Sequence, residues 1–76
     1  MKEKMFKFIK IKTPHLMHIE NIELKDYDDE YGAIGEHYVV RCFLKVKEEM
    51  AVKKTCLVNA VVFNNWARKE ESIMWI

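Results

Sequence analysis

Hydrophobic and polar residues alternate at the start of the chain. In residues 5–12 (Met-Phe-Lys-Phe-Ile-Lys-Ile-Lys), Met5, Ile9 and Ile11 share one side with Lys7, while Phe6 and Phe8 share the other with Lys10 and Lys12. A period of two in a β-rich composition predicts a strand. Thr13-Pro14 interrupts it, and the same pair would serve as N-cap and first residue of a helix. Residues 16–24 fit either state: Leu16, Ile19 and Ile22 suit a helical face, yet the place ahead of an acidic turn suits a strand. Residues 26–35 (Asp-Tyr-Asp-Asp-Glu-Tyr-Gly-Ala-Ile-Gly) read as a turn or loop, because Asp and Gly tolerate the backbone angles that turns need.

The strongest strand signal covers residues 37–47, with Val40, Cys42, Leu44 and Val46 facing one way and Arg41, Lys45 and Lys47 the other. Residues 48–51 predict a reversal. Residues 52–63 predict a further strand that places Cys56, Val58, Ala60 and Val62 on one face. A hairpin joining these strands can pair Cys42 with Cys56, Val40 with Val58 and Val46 with Val52, at the expense of a like-charge pair between Lys45 and Lys53. The competing reading makes 56–73 one helix, with Val58, Val62, Trp66, Lys69 and Ile73 along a stripe. Propensity favours strand up to Phe63 and helix over 66–72. The expected fold is therefore mainly β: a small antiparallel sheet or partial barrel of about four strands with a short C-terminal helix. An α+β arrangement with a long C-terminal helix is the alternative.

With 76 residues, half of them hydrophobic, the chain reads as a single compact domain, 1–76, with one small core. No apolar run approaches the roughly 20 residues of a membrane-spanning helix, and the lysines near the start leave no signal-peptide hydrophobic region, so a cytoplasmic protein is expected. Two cysteines are too few for the disulfide framework of a small secreted domain, and reduced, buried thiols are expected.

The net charge of +1 conceals segregated blocks. Residues 1–12 hold five lysines and one glutamate, residues 41–54 five cations and two glutamates, and residues 20–37 seven acids and one lysine. Such blocks govern encounter and orientation with partners.

Motifs for chemistry are incomplete. His15-Leu16-Met17-His18 with Cys42 and Cys56 offers four zinc-ligand types, but only the histidines lie close together, whereas structural zinc sites draw ligands in close pairs. Asp26-Tyr27-Asp28-Asp29-Glu30 has the acidity of a calcium loop, yet its glycine falls one position late and His37 stands where the twelfth-position Glu should be. Cys42 or Cys56 with His37 could form a nucleophile–base pair, but both thiols sit in apolar stretches where a thiol is inert. No cofactor, no metal and no enzymatic activity are expected.

Aromatic and basic residues interleave in Phe6-Lys7-Phe8-Ile9-Lys10 and Arg41-Cys42-Phe43-Leu44-Lys45, the mixture that single-stranded nucleic-acid binders use. Thr55-Cys-Leu-Val-Asn-Ala-Val-Val-Phe63 followed by Trp66-Ala67 resembles the third strand and helix entry of bacterial single-stranded-DNA-binding proteins of the OB fold, and Cys42-x-Leu44-x-Val46 is similar to their second strand. The resemblance covers about residues 35–70. It implies Phe63 as a base-stacking residue, whereas Leu57 departs from a position that is often aromatic in the family. The chain ends where the family's last two strands would begin.

Two functional expectations follow. The first is a small non-enzymatic interaction protein that binds and modulates or inhibits a partner with a basic surface, such as a nucleic-acid-handling enzyme. It would act through Glu23, Asp26, Asp28, Asp29 and Glu30 together with Trp75. Small inhibitors carried by phages and other mobile elements are proteins of this kind. The second is a single-stranded nucleic-acid-binding module using Phe6, Lys7, Phe8, Lys10, Phe43, Lys45 and Phe63. Edge strands in so small a sheet also invite pairing into a homodimer.

Overall fold

The computed structural model describes the backbone of residues 1–30 and 32–74 and the side chains of residues 1–29 and 32–70. Five elements follow in chain order: α1 (Lys2–Lys12), β1 (Leu16–Glu30), β2 (Ala33–Lys47), β3 (Met50–Asn59) and α2 (Ala60–Met74). The strands form one antiparallel meander in the order β1-β2-β3. Both helices pack on the same face of it, through one shared cluster of buried residues. The mainly β, antiparallel reading with a C-terminal helix holds at that level. The sheet has three strands rather than four, and it stays open, with β1 and β3 as its edges, instead of closing into a barrel.

Residues 5–12 are helical, contrary to the strand expected from their alternation. The same string also places Met5, Phe8 and Ile9 at helical spacing, i, i+3 and i+4. Met5 and Ile9 are both buried in α1, with Phe6 and Phe8 partly buried against the same core. Lysine is a good helix former, and Glu3 in the first turn with Lys10 and Lys12 in the last complements the helix dipole. Thr13-Pro14 therefore ends a helix instead of beginning one. The Thr13 N–H donates to the Ile9 carbonyl (2.9 Å) and the Leu16 N–H to the Thr13 carbonyl (3.1 Å), a tight reversal that delivers the chain into β1.

Residues 26–35, expected as a loop, are mostly strand. β1 runs on to Glu30 and β2 resumes at Ala33. Turn-forming residues take left-handed backbone angles within the segment instead: Asp29 (φ 57°) sits at a bulge between Asp28 and Glu30, Gly32 (φ 77°) lies in the connection, and Gly35 (φ 88°) lies in β2 opposite Tyr27.

The β2–β3 hairpin pairs two residues away from the expected register. Cys42 faces Lys54, Val40 faces Cys56 and Leu44 faces Val52. A bulge between Lys45 and Lys47 lets Lys47 pair with Met50, so the reversal tightens to Glu48-Glu49. In this register Lys45 faces Ala51 and Lys53 faces Phe43, which removes the like-charge pair.

Strand also yields to helix earlier than propensity suggests. The Asn59 side-chain oxygen accepts the Val62 N–H at 3.0 Å, an N-cap that satisfies an otherwise orphaned donor and starts α2 at Ala60. Helical geometry then places Ala60, Phe63 and Ala67 along one stripe over the sheet. The short helix expected over 66–72 is in fact a helix of 15 residues, Ala60–Met74.

The core beneath both helices centres on Val40 and Cys42, each fully buried in the middle strand. Leu16, Ile19, Tyr38, Leu44 and Val58 from the sheet meet Met5, Ile9, Ala60 and Phe63 from the helices. Phe63, 3% exposed, is the hub of an aromatic group: Phe8 (5.4 Å, 86°) and Tyr38 (5.5 Å, 77°) present edges to its ring, and Trp66 lies 6.1 Å away. The Tyr38 hydroxyl donates to the Asn64 side-chain oxygen at 3.2 Å, fixing α2 to β2.

A domain of this size has about 4–11 kcal/mol of stability. Phe63→Ala is expected to cost about 3–5 kcal/mol, a large share of that stability. Asn59→Ala is expected to cost about 1 kcal/mol, and Asn59→Gly only a few tenths. Urea denaturation followed by circular dichroism measures all three.

Candidate functional site

Strand lengths decide what protrudes. β1 and β2 each have 15 residues and β3 has 10, so pairing across all three strands stops at Lys25, His37 and Asn59. Beyond that rung, Asp26 pairs with Glu36, Tyr27 with Gly35, Asp28 with Ile34 and Glu30 with Ala33 in a two-stranded ribbon. Five steps of strand extend it about 17 Å past the three-stranded body.

This arm carries most of the acids proposed from the sequence. Asp26, Asp28 and Asp29 are exposed on it, and Glu23 is exposed at its base, where it accepts a hydrogen bond from the Asn21 amide (3.1 Å). The backbone of Glu30 closes the arm, while its side chain and Trp75 lie outside the described residues. Glu36, not among the acids that the sequence singles out, is exposed directly across from Asp26. Like charges directly opposed on a sheet repel. No ion pair to another described residue relieves Asp26, Asp28, Asp29 or Glu36. Strand parity would have found Glu36 only after the 26–35 segment was read as a hairpin instead of a loop.

Apolar contact is scarce along the arm. Ile34 is 69% exposed on it, and Leu24, just inside the three-stranded body, is 54% exposed. Ala33 and Tyr27 are buried. Opposite Gly35, Tyr27 has its ring edge-on to His37 (5.6 Å, 90°) and the Lys25 ammonium 5.1 Å from its centroid. His37 in turn hydrogen-bonds through Nδ1 to the Gly35 carbonyl (3.1 Å). Tyr27, His37 and Gly35 thus fasten the arm to the body.

The aromatic and basic candidates are dispersed. Phe6, Lys7, Phe8 and Lys10 lie on α1, not on a strand. Phe8 packs edge-on against Phe63 and against Trp66 (5.2 Å), and the Lys10 ammonium stands 5.1 Å from the Phe6 ring centroid. Phe63, the stacking residue implied by the OB-fold resemblance, is enclosed between sheet and helices with no ring face open to a base. Phe43 and Lys45 belong to the opposite, uncovered face of the sheet, where Phe43 stacks on His18 (4.8 Å, 25°).

The possible ligand and nucleophile sets are also split. His18 sits on the open face and Cys42 and Cys56 on the covered one. Among the described residues no group of three or more His, Cys, Asp or Glu side chains is placed to hold a metal. The two thiols lie 3.9 Å apart, and the Cys42 thiol also reaches the Lys54 carbonyl (3.5 Å). Burial, with Cys56 beside it, pushes the Cys42 thiol up from 9.0 to about 11, which suits a packing residue and not a nucleophile. No described helix is long and apolar enough to cross a membrane. Comparison with protein-family models, curated proteins and solved structures yields no match.

The folded state holds the Cys42 proton more tightly than the unfolded chain does. This contribution to stability is intact below pH 9 and is lost as pH rises toward 11. The urea midpoint of the wild type is expected to fall more steeply over that window than the midpoint of Cys42→Ala, measured in parallel.

Proposed function

We propose that the protein is a small non-enzymatic binding module whose acidic arm docks into a basic surface of a partner protein. The observation that carries this reading is the direct opposition of Asp26 and Glu36 on a two-stranded ribbon, flanked by exposed Asp28 and Asp29 and unrelieved by a cation among the described residues. A hairpin alone is at best marginally stable in water, and like charges facing each other weaken it further. A chain that retains such a conflict gains from it when a cationic surface arrives, because repulsion within the arm becomes attraction across the interface. The arm's slenderness suits a cleft more than a plane. The nucleic-acid channel of an enzyme is a cleft of the required sign, and occupying it would inhibit that enzyme without any chemistry by this chain.

The arm stands outside the core, so its charge can be reversed without disturbing the fold. Asp26→Lys, Asp28→Lys and Glu36→Lys in one variant are expected to leave the far-ultraviolet circular dichroism unchanged. The same variant should abolish capture of the basic partner that the wild type retains from cell extract, whereas Lys7→Glu with Lys10→Glu on α1 should leave capture intact. Wild-type capture should weaken as salt is raised from about 50 to about 200 mM, since exposed charges are screened over about 10 Å or less. Equal retention by wild type and arm variant would refute the proposal.

A further inference from the structure

Directly opposed residues of an antiparallel sheet point to the same side, so the pairing maps the open face rung by rung. His18, Phe43 and Lys53 form one rung across the three strands, and Asn21, Arg41 and Thr55 form the next. The first rung is aromatic and cationic. His18 and Phe43 are stacked, and Lys53 reaches over to Glu20 of β1 in an ion pair (3.2 Å) that neutralises the acid nearest the stack.

His18 stands on β1, an edge strand, and therefore has a second neighbourhood. Around that edge a groove of about 380 Å³ runs between α1 and β1, lined by Lys2, Glu3, Phe6, Lys7, His18 and Ile19. Its floor is apolar and aromatic (Phe6, Ile19, His18), while lysines outnumber the single acid at its rim. One imidazole thus joins a ring-walled groove on the helical side to a stacked ring pair on the open side.

We propose that this groove, continued by the His18–Phe43 stack, is a binding site for single-stranded nucleic acid. An unpaired base lies against Phe6 and His18, and the flanking phosphates are met by Lys2 and Lys7. The volume suits a small planar ligand, and unpaired bases stack on aromatic side chains irrespective of sequence. The acidic arm does not forbid it. Asp26 is eight residues along β1 from His18, about 25 Å of strand, more than twice the screening length of about 8–10 Å at physiological salt. This site and the arm are separate surfaces, and each proposal stands or falls without the other.

The test is fluorescence anisotropy with a labelled 12-mer of oligo(dT), and a second of oligo(U), at 50 and 200 mM salt. Two phosphate contacts on a single strand predict an affinity about 7-fold weaker at the higher salt. His18→Ala, at an exposed position outside the core, and Phe43→Ala are each expected to weaken binding at least fivefold, with urea melts confirming that both variants are folded. Asp26→Asn with Asp28→Asn is expected to bind within twofold of wild type. Absence of binding at 50 mM salt with protein at 100 μM would overturn the proposal. So would wild-type affinity in folded His18→Ala, or loss of binding in the arm variant. A wild-type dimer that Phe43→Ala dissociates, with no oligonucleotide bound, would assign the face to a second copy of the chain and also overturn it.

Discussion

Phe63 buried against Tyr38, Phe8 and Trp66 is the contact on which the arrangement of this domain rests. A three-stranded sheet presents two faces, and both helices lie on one of them. The ring of Phe63 collects a residue from each helix and one from the central strand into a single buried group, and this sets both helices on the same side. Among the described residues no helix covers the other side. The open face, the exposed edge of β1 and the protruding hairpin all follow from that one-sided core.

The arm is a product of unequal strand lengths. β3 stops at Asn59 because its side chain caps α2, and the helix must begin there for Phe63 to reach the core. β1 and β2 have no such obligation and continue past the body as a ribbon. The requirement of the core for Phe63 thereby fixes where the acidic segment separates from the sheet. Tyr27 over Gly35 and against His37 stiffens the base of the ribbon, which favours a partner through preorganisation, since less freedom is lost on binding.

Of the candidate site residues, the acids were legible because charge survives folding. Asp26, Asp28 and Asp29 are exposed as their type requires, and unequal strand lengths alone raise them into an arm. The aromatic residues were not legible, because a phenylalanine contributes equally well to a core and to a ligand platform. Phe6, Phe8, Phe43 and Phe63 entered as one group and were distributed among a helix flank, an aromatic cluster, the open face and the core. In the sequence His18 stands out only as half of a weak metal pair. Its position on an edge strand between a groove and a stacked ring exists only once β1 is paired with β2 and α1 is laid alongside.

The sequence by itself determined the antiparallel β character of the middle of the chain, the inward face of Val40, Cys42 and Leu44, and the segregation of acid from base. Each of these is a local pattern or a sum that the packing preserved. The tertiary structure decided the rest. Residues 5–12 and 60–63 satisfy both a period of two and a period of 3.6, and only their delivery of Met5, Ile9 and Phe63 onto the sheet selected helix. The register of the second hairpin was decided by a bulge at Lys45–Lys47 that tightened the turn. The acidic segment became strand instead of loop because backbone pairing with β2 was available to it, a long-range partner that no local propensity can report.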